Sequence, residues 1–315
     1  MLKIALVGVG GISGAHIPAW ESMKDAELVA LCDIRPEQME KYPNKRRYTD
    51  FDEMLAKEEI DILDICLPTY LHADFSVKAM EKGINVICEK PVSLKKEDVA
   101  RVYAAAEKNN VKFMIAQVLR FWPEYEIVKK IYDEKTYGNL LSGSMTRLGC
   151  RPKWSWDNWM TDKNRSGLVP FDLHIHDLDF MVYAFGKPDK TNAFKSTTET
   201  QDYLNTVYQY DGFFISTEAS WYASPYPFKA AFRFQFEHAV VAWENGEMKI
   251  YEENGKIWSP ISGGDGLDTG NIGLPASDAY ANEIRYFTDC VENGVFPDKV
   301  KPAELEAVLD ILNTL

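Results

Sequence analysis

The run Phe171-Asp172-Leu173-His174-Ile175-His176-Asp177-Leu178-Asp179 concentrates groups that move protons. On a 3.6-residue period Asp172, His176, Asp179 and Tyr183 form one stripe, so His176 is expected one turn from each aspartate. A histidine flanked by carboxylates is oriented and made more basic, which suits a general base. Phe171, His174, Ile175, Leu178, Met181, Val182 and Phe185 form an apolar stripe, and His174 on it reads as a hydrogen-bonded core histidine. A solvated acidic helix face and a metal site are the rival readings. No metal is expected, because His174 and His176 point to different faces and no further donor stands at ligand spacing. The second chemical group is Lys90 in Cys88-Glu89-Lys90-Pro91, which can donate to a substrate hydroxyl. Its bland alternative is a solvated lysine, but Lys-Pro at a strand end makes a stiff backbone corner.

These groups need a frame. Lys3-Ile4-Ala5-Leu6-Val7 is a short apolar strand that breaks into Gly8-Val9-Gly10-Gly11-Ile12-Ser13-Gly14. Such a strand, glycine turn and helix start grip a pyrophosphate: the first glycine turns the chain and the second admits the phosphates. The helix N-terminus then supplies N–H groups. The third position of the fingerprint is Ser13, still small enough for helix–strand packing. A second apolar strand, Glu27 to Cys32, ends in Asp33, where a carboxylate can bond ribose hydroxyls and favour NAD over NADP. Arg35, two residues on, can offset that preference or stack on adenine. Apolar strands at 62–67, 85–88 and 112–117 alternate with helices, which implies a parallel sheet covered on both sides. Ser93 is expected to cap the helix carrying Val99, Val102, Tyr103 and Ala106. Ligands of open parallel sheets sit at the carboxyl ends of the strands. That places Leu67-Pro68 to His72 and Glu89-Lys90 beside the glycine turn, with His72 either lining the nicotinamide side or capping the next helix.

At 315 residues the chain suits about two domains. Its net charge of −13 argues against nucleic acid or an anionic membrane as partner. The five cysteines, at 32, 66, 88, 150 and 290, form no C-x-x-C pair and suit a reducing, cytoplasmic setting. No apolar stretch approaches the ~20 residues needed to span a bilayer.

Gly8-Val9-Gly10-Gly11-Ile12 with His16, then Pro68 and His72, then Glu89-Lys90-Pro91, resembles the Gfo/Idh/MocA oxidoreductases, a family of sugar and cyclitol dehydrogenases. The resemblance continues through Leu119-Arg120-Phe121-Trp122-Pro123-Glu124-Tyr125 and covers almost the whole chain. Asp172, His176 and Asp179 match its second-domain motif, although His174 stands where the family usually has glycine and Val169-Pro170 replaces part of a glycine run. The resemblance implies an N-terminal Rossmann domain (1–119) and a C-terminal α+β domain (120–315) for substrate binding and oligomerisation. It implies NAD held by Gly8, Gly10, Gly11, Ile12, Asp33, Arg35, Pro68, His72, Glu89 and Lys90. Together with the corner chemistry it suggests a cis Lys90–Pro91 bond.

In the second domain, period-two runs such as Phe228 to Glu237 and Phe213 to Trp221 give a mainly antiparallel sheet with one helix-covered and one open face. The open face is solvated or, as the resemblance implies, a homodimer or homotetramer interface. Trp154, Trp156 and Trp159 could pack on sugar C–H faces or serve inter-domain packing. Arg120 and Tyr280 are further candidate substrate contacts. The whole reads as an NAD-dependent dehydrogenase of a sugar, sugar acid or cyclitol, with His176 as base, Asp172 orienting it and Lys90 polarising the oxygen across one cleft. An NAD-dependent glycosidase and a non-catalytic nucleotide sensor are the alternatives.

Overall fold

The structure, a computed structural model, describes residues 1–261 and 277–315. It divides into two compact units, Met1–Val118 with residues 277–305, and residues 119–261 with 306–315. The boundary expected at 119/120 lies next to the first limit, whereas residues 277–305, expected with the second domain, belong to the first unit.

The first unit alternates β1 (Leu2–Val7), α1 (Ser13–Glu21), β2 (Ala26–Cys32), β3 (Arg46–Tyr48), α2 (Phe51–Lys57), β4 (Ile62–Ile65), α3 (His72–Met80), β5 (Asn85–Glu89), α4 (Glu97–Lys108) and β6 (Phe113–Ala116). The strands form one parallel sheet in the order β3-β2-β1-β4-β5-β6, the doubly wound arrangement. Ile4 to Val7, Ile62, Leu63 and Val86 to Cys88 are all buried, which is why these strands read as unbroken apolar runs. Register sets the site. Val7 pairs with Cys32 and with Ile65, and Ile65 with Cys88. The next residue on each strand therefore falls in one row at the carboxyl edge: Gly8, Asp33, Cys66 and Glu89. α4 buries Val99, Val102 and Ala106 as expected, but Ser93 does not cap it. The helix begins later, and the Ser93 hydroxyl instead donates to Asp98 and accepts from the Lys95 N–H.

The second unit holds α5 (Pro123–Glu134), β7 (Leu140–Cys150), α6 (Lys163–Ser166), α7 (Ile175–Phe185) and seven further strands. These are β8 (Lys190–Thr197), β9 (Asp202–Tyr210), β10 (Phe213–Tyr222), β11 (Lys229–Phe236), β12 (Ala239–Glu244), β13 (Glu247–Glu252) and β14 (Ile257–Trp258). The eight strands run β14-β13-β12-β11-β7-β10-β9-β8, antiparallel except for the β7–β10 pair. One face is apolar: Phe232, Phe234 and Trp243 are buried and meet Tyr125 of α5 and Phe180 of α7 edge-on or tilted. The alternating residues Ser142, Phe214, Ser216 and Gln235 face away from that core and stay partly or fully exposed. Two more helices follow, α8 (Ala279–Glu292) in the first unit and α9 (Pro302–Leu312).

Candidate active site

The glycine turn is built as its sequence demands. Gly8 has φ +92°, and a Cβ there would sit 2.5 Å from the Cys66 carbonyl oxygen, so only glycine lets β1 turn beside β4. A Cβ on Gly10 would meet nothing within 4 Å. That open space over the backbone, before the helix that starts at Ser13 with no side-chain cap, is what a pyrophosphate needs. The Ser13 hydroxyl donates to the Gly10 carbonyl, fastening the turn in place of a third glycine. Asp33 ends β2 and is mostly buried. Its Oδ2 accepts the Val9 N–H at 2.8 Å and its Oδ1 accepts the Arg35 N–H at 2.8 Å. The Arg35 guanidinium lies 3.4 Å from the same carboxylate. Asp33 thus ties the glycine turn to the end of β2 and keeps Arg35 beside it. The residues expected to hold a dinucleotide fit one: a cleared turn, an uncapped helix start and a carboxylate at the next strand end.

Behind this edge lies a buried polar chain. His16 of α1 is fully buried, with Nδ1 2.8 Å from Asp64 Oδ2 and Nε2 2.9 Å from Glu89 Oε1. The Trp20 indole N–H also donates to Asp64 Oδ2, at 2.7 Å, and the Cys66 thiol donates to Asp64 Oδ1. Burial by itself would push the His16 ring down, but the neighbouring Asp64 carboxylate, with Cys66, overrides it and holds the ring well above the ordinary histidine value. Burial likewise pushes Glu89 up, and the bond and charge of His16 overcome it and bring the carboxylate below its usual value. His16, Asp64 and Cys66 bring three metal-type donors together, but these donors bond to one another and to Trp20.

Lys90 follows Glu89, its backbone N–H donating to Glu89 Oε2 at 3.1 Å, and the Lys90–Pro91 bond is cis. Two expectations change here. Glu89, assigned to cofactor binding, turns inward and spends one oxygen on His16 and the other on Lys90 N–H. His72 neither lines an open face nor caps α3. It is buried, with Nδ1 2.7 Å from the Pro91 carbonyl oxygen and Nε2 2.7 Å from that of Leu67. Burial lowers its pKa despite the two carbonyls. Pro68 stands at the start of the short turn Thr69–Leu71, and its carbonyl accepts the Leu71 N–H. Tyr280, a candidate substrate contact, is buried at the start of α8 with its ring 5.6 Å from that of His16.

In the second unit the segment Pro170–His174 is a π-turn and α7 begins at Ile175. The expected 3.6-residue stripe is therefore regular only from there on, and Asp172 precedes His176 across the wider turn. Both are half-buried. Asp179 is fully buried and its two oxygens receive Arg120, Nε to Oδ2 at 2.8 Å and NH2 to Oδ1 at 2.6 Å. Arg120, expected to touch substrate, is wholly buried in this bidentate pair and lies over the Tyr183 ring. The reason is physical: a guanidinium inside protein needs a carboxylate, and Asp179 provides it. A second buried pair, Arg147–Asp177, was not anticipated. His174 is the expected core histidine, its Nε2 2.6 Å from the Tyr208 hydroxyl, and burial lowers its pKa to about 3. Of the tryptophans, Trp154 and Trp156 are exposed, whereas Trp159 packs against the cluster of Met160, Leu168, Val169, Leu204, Ala219 and Trp221.

Sequence spacing could not find His16 and Asp64 as partners. The available signal was Asp64 itself, a carboxylate inside the apolar strand Ile62-Leu63-Asp64-Ile65, which had to have a buried partner.

Known proteins agree with this architecture. A structure described as levoglucosan dehydrogenase in complex with NADH and levoglucosan matches with TM-score 0.85 at 20% identity, over 99% of this chain and 95% of that one. D-apiose dehydrogenase of Paraburkholderia graminis is 29% identical over 188 residues, 58% of this chain and 50% of that protein. Glucose-6-phosphate 3-dehydrogenase of Bacillus subtilis is 28% identical over 210 residues, 64% and 58% respectively. The chain thus spans a little over half the length of these curated relatives. Residues 2–117 match the oxidoreductase family with an NAD-binding Rossmann fold, and residues 125–254 match the C-terminal domain of the same family. On both matches, and on the glycine turn and Glu89-Lys90-Pro91 corner that structure places along one sheet edge, the chain belongs to the Gfo/Idh/MocA family.

Proposed function

We propose that the protein is an NAD-dependent dehydrogenase acting on a secondary alcohol of a sugar, sugar acid or cyclitol. The observation that carries this is the row at the carboxyl edge of the parallel sheet, where the cleared Gly8–Gly10 turn, Asp33 and the Lys90 corner stand together. The names of the relatives, which are dehydrogenases of sugars or sugar phosphates, support the substrate class.

When bound, the nicotinamide supplies the hydride acceptor that no side chain offers. The chain's own groups handle the rest. Asp33 bonds the adenosine ribose and disfavours a 2′-phosphate, with Arg35 beside it tempering that choice. Lys90 donates to the reacting oxygen and balances the charge that develops there. His176 takes the hydroxyl proton, and Asp172 orients it or bonds a neighbouring hydroxyl. Exposed Trp154 and Trp156 remain candidates for sugar contact, while Trp159 does not. Polar and apolar residues on the open face of the eight-stranded sheet, Phe214 among them, support a homo-oligomer through that face. Five free cysteines support a cytoplasmic setting. Among the described residues no helix is long and apolar enough to cross a membrane.

A panel of sugars, sugar acids and inositols tested for NADH formation checks the reading. His176→Ala should leave NAD affinity nearly unchanged and lower turnover by about 10²–10⁴-fold, and Lys90→Ala should cripple turnover while sparing the fold. Near-normal turnover in either variant removes that residue from the mechanism. Release of product from a glycoside without net NADH would favour the glycosidase reading instead.

A further inference from the structure

Three elements, α1, β4 and β5, meet in the buried chain Trp20–Asp64–His16–Glu89, and it ends on the backbone N–H of Lys90. From the other side His72 reaches the Pro91 carbonyl at 2.7 Å. The Lys90–Pro91 corner, whose proline has no N–H to anchor it, is therefore held at its amide by Glu89, and its carbonyl faces His72 Nδ1, which donates to it in the tautomer that carries the proton there. Geometry of this kind is not needed for packing alone. Replacing a buried ionic group by apolar side chains of similar volume is often neutral or stabilising, so an ionic chain in a mostly apolar core answers another demand.

We propose that His16 is a positioning residue for Lys90: its ring, fastened by Asp64, fixes the Glu89 carboxylate on the Lys90 backbone N–H. The inference rests on the reading of Lys90 as the group that meets the substrate oxygen. Each link has its donor and acceptor assigned. Asp64 is acceptor-only, taking Trp20 and the Nδ1–H of His16 on one oxygen and the Cys66 thiol on the other. Glu89 takes the Nε2–H of His16 and the N–H of Lys90. A ring that donates from both nitrogens is an imidazolium, which agrees with the direction in which Asp64 moves it. The groups facing the ring are Asp64 and Cys66 at the end of β4, Glu89 of β5, Trp20 of α1 and Tyr280 of α8, with Lys90 and His72 acting on Glu89 in turn. Loss of the imidazolium would remove the strongest influence that counters burial at Glu89 and leave only the charges of Lys90 and His72 against it, which shifts Glu89 toward taking up a proton and loosens its hold on the corner.

The test uses the full chain. Nitrogen NMR of histidine-labelled protein without cofactor should show one ring with both nitrogens protonated at pH 8, and that signal should vanish in His16→Gln. The infrared spectrum of His16→Gln at pH 7 should gain the C=O band of a protonated carboxylic acid, absent from the His16→Gln, Glu89→Gln double variant. In turnover, His16→Gln and Glu89→Gln should each lose on the order of 10²-fold in kcat, the scale of a reacting group displaced by about 1 Å, with KM for NAD within about twofold. The double variant should be no worse than either single one. A neutral His16 ring, or a folded His16→Gln with kcat within about threefold of the unaltered protein, overturns the proposal. Should His16→Gln not fold, Glu89→Gln and the spectrum of the unaltered protein carry the decision. The spectra are read without substrate, so an unaltered protein that makes no NADH from any polyol sinks the dehydrogenase reading and leaves the His16–Glu89 geometry to be judged separately.

Discussion

Two glycines of one turn should respond to the same substitution in opposite ways. At Gly10 a new methyl group meets no atom within 4 Å, and the backbone there lies outside the left-handed region. Gly10→Ala should therefore fold as before, within about 1 kcal/mol and if anything more stable, because alanine reduces the freedom of the unfolded chain. The same methyl stands where phosphate oxygens must approach the backbone. Losing one charge-assisted bond of about 1.5–3 kcal/mol weakens NAD binding by roughly ten- to a hundredfold. At Gly8 the ranking inverts. A Cβ would lie 2.5 Å from the Cys66 oxygen, 2.7 Å from its carbon and 2.9 Å from the Leu67 nitrogen, all backbone atoms, at φ +92°. A non-glycine residue held in such a conformation costs about 1–3 kcal/mol before the clash is counted, so Gly8→Ala should lose at least about 3 kcal/mol. Urea unfolding gives the stabilities, and quenching of tryptophan fluorescence by NAD gives the affinities. A Gly10→Ala protein that folds and binds NAD as tightly as the unaltered chain would remove the pyrophosphate from this turn. A Gly8→Ala protein as stable as Gly10→Ala would refute the geometry of the turn itself.

Other substitutions test the remaining assignments. Asp179→Ala takes the bidentate carboxylate away from the fully buried Arg120 guanidinium and should cost about 3–5 kcal/mol in chemical denaturation. A loss below about 1 kcal/mol, the scale of exposed pairs such as Lys130–Glu134, would show that the pair is not desolvated. Asp33→Ser should shift preference from NAD toward NADP through Arg35, and titration of both cofactors decides it, since an unchanged ratio takes Asp33 out of the selection. His174, with a folded pKa of about 3 against about 6.5 unfolded, contributes stability that is intact above pH 6.5 and is lost as pH falls from there toward 3. His174→Gln should therefore flatten the fall of the unfolding midpoint between pH 7 and pH 4, and an unchanged acid slope would contradict this.

The first unit was legible because its strands are buried on both faces and its turn chemistry is local. Val7 stops at a glycine that must have positive φ, Cys32 stops at Asp33, and the pairing of β1 with both β2 and β4 aligns those ends. The second unit's sheet was legible for a different reason, the two-residue alternation of strands with one wet face, as in Phe232, Phe234 and Phe236. What stayed hidden were partnerships between residues far apart in the chain. Nothing near His16 announces Asp64 or Glu89, and nothing near Arg120 announces Asp179. The α7 region failed more locally: a regular helical period was carried through Pro170–His174, where the chain makes a π-turn instead. The places of Arg120 and Tyr280 in the chain, at the crossing between domains and at a helix start, suggest substrate contacts, whereas both are buried in the structure.

The strand order of the second unit bears on how the chain assembles itself. β8-β9-β10 and β11-β12-β13-β14 are two meanders whose neighbours in the sheet are also neighbours in sequence. β7 is made before both and lies between them, with Ser142 pairing to Phe214 on one side and to Gln235 on the other. Each meander can zip up by closing short loops, whereas β7 must close a long loop on each flank, one of them in parallel register, before it gains a partner. β7 is thus the keystone and the last strand to be seated. A nascent chain leaves both its edges unsatisfied until β10 has been synthesised and one of them until β11 has followed, and those edges expose a growing polypeptide of this protein to pairing with the wrong strand.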